Sequence, residues 1–198
     1  TFPQIIANSS NVGIIKIAQK IGRDPLYKTS KSYGFGSYTG IGFPGESQGI
    51  LRKKSEWSHM SVASISIGYE VAVTVLQIAS AYAAIANGGV LLKPRLVKQI
   101  INENGEIVFA SKPKPIRKIT KPEIMAEMKE ILEKVVNEGT GSKANIEGWS
   151  IAGKTGTALK YIDGSYSKKY ISNFAGFFPS ENPQVVGVVV LDEPNHGL

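Results

Sequence analysis

The sequence contains no cysteine, which excludes disulfide bonds and thiolate chemistry but leaves the compartment open, since many exported proteins manage without disulfides. Histidine is nearly absent too. His59 and His196 are too few to build a metal cluster by themselves, and no spacing of carboxylates supplies the rest, so neither a metal nor a cofactor is expected. Long hydrophobic runs are missing. The apolar stretch from Ser61 to Ala86 is interrupted by Tyr69, Glu70, Thr74 and Gln77 and reads as buried helix, not as a membrane span. There is no initiator Met and no charged-then-apolar leader; the expectation is a piece of a longer protein.

What is present is ordinary globular material. At 198 residues and 42% hydrophobic, the chain makes one domain, or most of one, with a sizeable core. The net charge of +7 reads first as a soluble basic surface, and second as a sign of an anionic partner. The basic residues are dispersed. Their densest groups are Arg52-Lys53-Lys54 and the proline-broken stretch from Lys112 to Lys121. No basic helix is interleaved with aromatics, so no nucleic-acid partner is expected.

Periodicity predicts a short helix over 9–22, ended by Gly22, then a Gly- and Ser-rich irregular segment over 29–50. Thr74-Val75-Leu76-Gln77 has the spacing of a capping box, which satisfies two otherwise unpaired N–H groups reciprocally. The helix it opens runs to Asn87-Gly88-Gly89. Thr120-Lys121-Pro122-Glu123 has the same spacing, ahead of a stripe of Ile124, Met128, Ile131, Leu132 and Val135 that Gly139-Thr140-Gly141 ends. Residues 149–159, 170–178 and 184–192 read as strands, with a hairpin loop from Tyr161 to Lys169. The β-branched run from Val185 to Leu191 reads as buried on both faces. Helices first and an antiparallel meander last predict an α+β fold with helices packed on an antiparallel sheet.

Two short motifs carry chemistry. Ser9-Ser10-Asn11 opens the first helix, and Lys154-Thr155-Gly156-Thr157 lies in the first predicted strand. Each is weak alone: the first also reads as a helix N-cap, the second as a strand glycine at a close approach. Their order and setting match the second and third signatures of the serine acyl-enzymes that include β-lactamases and penicillin-binding proteins. The flanks narrow the likeness. Ala7 to Ala18, Tyr33-Gly34-Phe35-Gly36, Pro44-Gly45-Glu46, Ser66-Ile67-Gly68, Ala152 to Ala158 and Phe174 to Pro179 resemble the class B penicillin-binding proteins in order and along nearly the whole chain. The division- or spore-type monofunctional enzymes look nearest.

The resemblance implies the C-terminal part of a single peptidoglycan D,D-transpeptidase domain, spanning 1–198, with a partial serine β-lactamase/penicillin-binding-protein transpeptidase fold. In such an enzyme a serine attacks the D-Ala-D-Ala amide of a stem peptide, an amine of a neighbouring stem peptide resolves the acyl-enzyme, and β-lactams acylate the same serine. By the same resemblance Ser9 relays protons to the leaving amine, and Asn11 holds the acyl side-chain amide. Lys154 adds positive charge near the substrate carboxylate, to which Thr155 and Thr157 offer hydroxyls. Gly156 leaves room for an extended peptide, and the Thr157 N–H forms half of an oxyanion hole. The implied parent is membrane-anchored with its catalytic domain outside the membrane, and division proteins are among the implied partners.

One departure is plain. The family's Ser-x-x-Lys should precede Ser9, and none of the first eight residues is serine. The one match, Ser165-Tyr166-Ser167-Lys168, falls in a predicted hairpin loop and is read as chance. The chain is therefore expected to lack the nucleophile and the closing helix and to be inactive alone. The run from Val185 to Leu191 is expected to leave an unpaired edge and an uncovered face that invite a homodimer or strand-swapped assembly. A β-lactamase or β-lactam sensor of the same fold, and a non-catalytic cell-wall or division scaffold, remain open alternatives. Glu70, where the family more often has a small residue, reads as a solvated or locally paired carboxylate. Trp57 and Trp149 read as packing.

Overall fold

The computed structural model describes residues 1–195; His196, counted above with His59 as too few for a metal cluster, lies outside the described residues. A short helix, α1 (Phe2–Ala7), precedes α2 (Asn11–Ile21). Ser10, not Ser9, caps α2: its Oγ accepts from the Gly13 N–H at 3.2 Å. Gly22, at φ +89°, ends the helix as expected. A third helix, α3 (Arg23–Ser32), takes the first residues assigned above to irregular chain. Pro25 sits in its first turn, where a missing N–H costs nothing.

From Tyr33 onward the path is irregular, as expected. A minimal sheet then pairs β1 (Ile50–Leu51) with β2 (Val71–Ala72), with α4 (Ser61–Ser66) between them. The helix α5 (Val75–Ala86) forms on the predicted capping box: the Gln77 N–H donates to Thr74 Oγ1 at 3.1 Å and the Thr74 N–H to Gln77 Oε1 at 2.9 Å. Four strands follow that the sequence reading did not assign. The antiparallel pair β3 (Val90–Lys93) and β6 (Lys114–Lys118) encloses a second pair, β4 (Gln99–Ile101) and β5 (Ile107–Ala110). These strands are short, and β4, β5 and β6 are exposed throughout, so they lack the alternation that marks a half-buried strand.

The last helix, α6 (Pro122–Asn137), starts one residue later than its expected cap. Pro122 occupies the first helical position, which its ring favours. That makes Lys121 the cap and leaves the Thr120–Glu123 box unformed. Ile124 is exposed, and Met125 and Val136 join Leu132 and Val135 in the interior.

The terminal meander has the order β7 (Ala152–Ile162), β8 (Ser165–Phe178), β9 (Val185–Asp192), all antiparallel. The loop expected over Tyr161–Lys169 is instead continuous hairpin, turned by Asp163 and Gly164 at φ +50° and +84°. Two consecutive positive φ angles match the twist of the flanking strands. Ala152, Phe177 and Val186 stand directly opposite one another across the three strands and so share a face. Ala86 and Tyr82 of α5 and Leu132 and Met128 of α6 pack onto that face. The other face of β9 is open. Val189 and Leu191 are more than half exposed, so the apolar run is not buried on both sides as its composition implied. Among the described residues β8 is the only partner of β9, which leaves the free edge that was expected. The architecture is the α+β fold read from the sequence.

Candidate active site

The site begins with a close contact between two helix ends distant in sequence. Ala7, at the end of α1, is buried. The backbone of Gly139, just past α6, runs so near it that an added Cβ would lie 2.3 Å from the Ala7 carbonyl oxygen. Only glycine permits that approach. The Thr140 N–H then donates to the Ala7 carbonyl at 3.1 Å. Ser9 follows Ala7 by two residues and Thr140 follows Gly139 by one, so the contact delivers both hydroxyls to one place. The tight turn leading to Ser10 holds Ser9 at φ +52°, in the left-handed region uncommon for a non-glycine residue.

Strand β7 supplies the third partner. The Lys154 amine donates to the Thr155 carbonyl at 2.9 Å and to Ser9 Oγ at 3.0 Å, with Thr155 Oγ1 and Thr140 Oγ1 at 3.3 and 3.4 Å. Thr140 and Thr155 share a hydrogen bond of 3.0 Å between their hydroxyls. Every acceptor is neutral, and among the described residues no carboxylate pairs with Lys154. Burial pushes its amine pKa down, because a low-dielectric setting disfavours the charged form. An uncompensated amine among three hydroxyls can do two things. Protonated, it attracts an anion; deprotonated, it takes a proton through Ser9.

Ser9, Lys154 and Thr155 are thus brought together. Asn11 opens α2, exposed, and among the described residues it makes no bond to this network. Thr157 lies further along β7, also exposed. At Gly156 an added Cβ would meet the end of the Asn173 side chain at 2.7 Å, which would have to turn aside. Among the described residues β7 pairs with β8 alone, and its other edge is free to receive an extended ligand. Thr140 was missed. Its Gly-Thr-Gly setting reads as a helix stop, and nothing local announces that it lies beside Lys154.

Other residues settle into packing. Glu70 accepts from Ser61 Oγ at 2.7 Å and pairs with Arg52. Burial works to raise its pKa, but the hydrogen bonds from Ser61 and Ser64 and the guanidinium outweigh it and hold the carboxyl below its ordinary range. It is locally paired, as expected. Trp57 is buried edge-on to Tyr27, its Nε1–H donating to the Arg52 carbonyl at 3.1 Å. Trp149 packs on Phe178 yet stays half exposed, and His59 is exposed.

The model of the penicillin-binding protein transpeptidase domain matches residues 1–198. The chain belongs to this family. It is 35% identical to penicillin-binding protein PbpB of Mycolicibacterium smegmatis over 96% of this chain and 31% of that protein. It is also 35% identical to stage V sporulation protein D of Bacillus subtilis, over 98% of this chain and 30% of that one. The chain therefore spans about a third of the length of the curated relatives it matches. Its fold superposes on penicillin-binding protein 3 of Mycobacterium tuberculosis with a TM-score of 0.92 at 32% identity, covering 99% of this chain and 46% of that one. That protein has been solved with aztreonam and with ampicillin bound. The relatives are class B penicillin-binding proteins, the group the motifs pointed to.

Proposed function

We propose that residues 1–198 form the C-terminal part of a single peptidoglycan D,D-transpeptidase domain and hold its second and third active-site motifs. The observation that carries this reading is the 3.0 Å bond from the Lys154 amine to Ser9 Oγ, which joins the helical part to the free edge of β7. A serine Oγ attacks the carbonyl of the penultimate D-Ala and gives its proton to a neighbouring base. Negative charge gathers on the carbonyl oxygen, toward which the Thr157 N–H is directed. The C–N bond breaks, and the terminal D-Ala leaves with a proton delivered through Ser9. Asn11 holds the amide of the acyl part. Lys154, Thr155 and Thr157 bind the terminal carboxylate. An amine of a second stem peptide then attacks the acyl-enzyme and releases the serine. β-Lactams enter the same course and stop at the acyl-enzyme. The parent is anchored in a membrane and works with division proteins.

The attacking serine is not Ser165. On a helix, positions three apart share a face, whereas on a strand they point to opposite faces. Ser165 and Lys168 both lie on β8, so that lysine is turned away from that hydroxyl. The chain alone is therefore inert toward penicillin, and the nucleophile comes from the parent outside these residues. Labelling with a fluorescent penicillin tests this on the chain and on an upstream-extended parent side by side. Label on the parent alone is the expected result. A covalent adduct on any serine of the 198-residue chain refutes it. If neither is labelled although both are folded, a non-catalytic scaffold takes its place.

A further inference from the structure

Seven positions beyond Lys154 on the same strand, Tyr161 packs edge-to-face on Tyr166, its cross-strand partner, with centroids 5.2 Å apart. Tyr166 in turn meets Tyr69 edge-to-face at 4.9 Å. Tyr69 lies between α4 and β2, in the helical part of the molecule. Beyond the packing of α5 and α6 on Ala152 and Phe177 and the Lys154–Ser9 bond, the β7–β8 hairpin thus meets the helical part again near its tip, at Tyr166–Tyr69. The three rings form one connected cluster, each nearly perpendicular to the next, at 72° and 81°. It is not a core, because Tyr161 is 64% and Tyr166 50% exposed. Burial, aided by the nearby Tyr69, Glu70 and Tyr161, raises the Tyr166 pKa, so its hydroxyl remains a neutral donor.

This cluster has a fixed relation to the proposed acyl-transfer site, and the inference rests on that reading. With the substrate carboxylate at Lys154, Thr155 and Thr157, a peptide can run along the free edge of β7 in two directions. Toward Ala152 the strand ends within two residues. Toward Ile162 it continues past Thr157 for five more. An antiparallel peptide takes the longer course, with its N-terminal end arriving at Tyr161. Each extended residue advances about 3.3 Å, so the path from Thr157 to Tyr161 is roughly 13 Å, about four residues. The group met there is whatever the stem peptide hangs from, and in peptidoglycan that is an N-acetylated amino sugar.

We propose that Tyr161, Tyr166 and Tyr69 form a glycan subsite, on which a sugar ring of the strand bearing the donor stem peptide stacks. The electron-rich ring faces receive the polarised C–H groups of the sugar's apolar face, and the phenol hydroxyls remain available to its hydroxyl and acetamido groups. The subsite selects stem peptides still attached to glycan and fixes their direction along β7.

The test titrates the 198-residue chain with a tetrasaccharide of N-acetylglucosamine, following tyrosine ring resonances by NMR, and separately with an acetylated Lys-D-Ala-D-Ala peptide. The tetrasaccharide is expected to shift the Tyr161 and Tyr166 rings. Tyr161→Ala with Tyr166→Ala weakens its binding by about fivefold or more, while the two Phe replacements, which keep the ring faces, retain most of it. Thermal unfolding checks that each variant is folded. No shift at the tyrosines, or Phe variants as weak as the Ala variants, overturns the subsite. Binding of the peptide without the sugar also overturns it and leaves the acyl-transfer reading standing. Binding of the sugar without the peptide overturns the acyl-transfer reading and leaves a glycan site.

Discussion

Gln77 offers the sharpest test of how this sequence holds its fold. Its side chain is 1% exposed. The amide nitrogen donates to the carbonyls of Ser37 at 2.8 Å and Gln48 at 2.9 Å, with Gly34 at 3.4 Å, while the oxygen accepts from the Thr74 N–H. One amide thus pins both ends of an irregular loop and caps α5. Gln77→Leu keeps the volume and removes every bond. Three partly buried carbonyls, that of Gly34 the most weakly held, and one N–H lose their partner at about 1 kcal/mol or more each, partly offset by the apolar side chain, so a net loss of about 3 kcal/mol is expected. For a chain of this size that lowers Tm by about 10 °C. Gln77→Glu separates the chemistry from the shape. A carboxylate facing these carbonyls is repelled, so the folded state keeps the proton and the folded pKa rises above the unfolded value near 4.3. Stability is then greatest below that value and falls as pH rises toward the folded pKa, by up to about 1.4 kcal/mol per pH unit. Urea unfolding at pH 4 and pH 7 reads both effects: the Leu deficit is the same at the two pH values, and the Glu deficit grows with pH. A Leu variant within 1 kcal/mol of the parent sequence, or a Glu variant indifferent to pH, would refute the account.

Thr140→Val removes two of the contacts around Lys154 while leaving the Thr140 N–H bond to Ala7 in place. Penicillin labelling of the extended parent should slow by about tenfold with Tm nearly unchanged; equal labelling would show that the hydroxyl is idle. Glu70 holds φ +57°, a conformation especially costly for a β-branched side chain. Glu70→Val and Glu70→Gly both give up the Ser61 and Arg52 contacts, but only glycine accepts the backbone, so Glu70→Val should be the less stable of the two by about 2 kcal/mol; thermal unfolding of both decides. The Thr39 hydroxyl, bonded to Glu46 Oε1, is the main influence holding the Glu46 carboxyl below its ordinary range. Its stabilisation is present above the unfolded carboxylate pKa and lost as pH falls through the folded value. Glu46→Gln should flatten the acid limb of the stability profile, and an unchanged limb would show that the bond carries nothing.

What the sequence disclosed was local. The Thr74 capping box, the Gly22 stop and the meander were legible because their signals lie within a few residues. Ser9 and Lys154 were legible because the motifs have fixed order. The remaining features depend on what lies across the fold. Val185 to Leu191 has the composition of a two-sided core strand, but α5 covers one face only, and no periodicity reports that. Pro122 overrode a well-spaced capping box by fixing where α6 begins. Asp163-Gly164 was absorbed into a loop because the flanking residues are polar, although the pair itself is a strong hairpin signal. Thr140 owes its place to the fit of Gly139 against Ala7, more than a hundred residues away.

That fit also explains why the chemistry sits where the helical part meets the sheet. Ser9 is on the helical side and Lys154 on the strand side, and neither element fixes the gap between them by itself. The Gly139–Ala7 contact does, because it clamps the end of α1 to the end of α6, and α6 packs through Leu132 and Met128 onto the strand face that carries Ala152. Lys154 is two residues beyond Ala152 on that strand. A side chain at Gly139 would push α1 away from α6 and carry Ser9 with it, separating the hydroxyl from the amine without touching either residue. Gly139→Ala should therefore reduce penicillin labelling of the extended parent more than Thr140→Val does, since it displaces Ser9 and Thr140 together. Equal effects of the two substitutions would mean that the clamp does not set the distance.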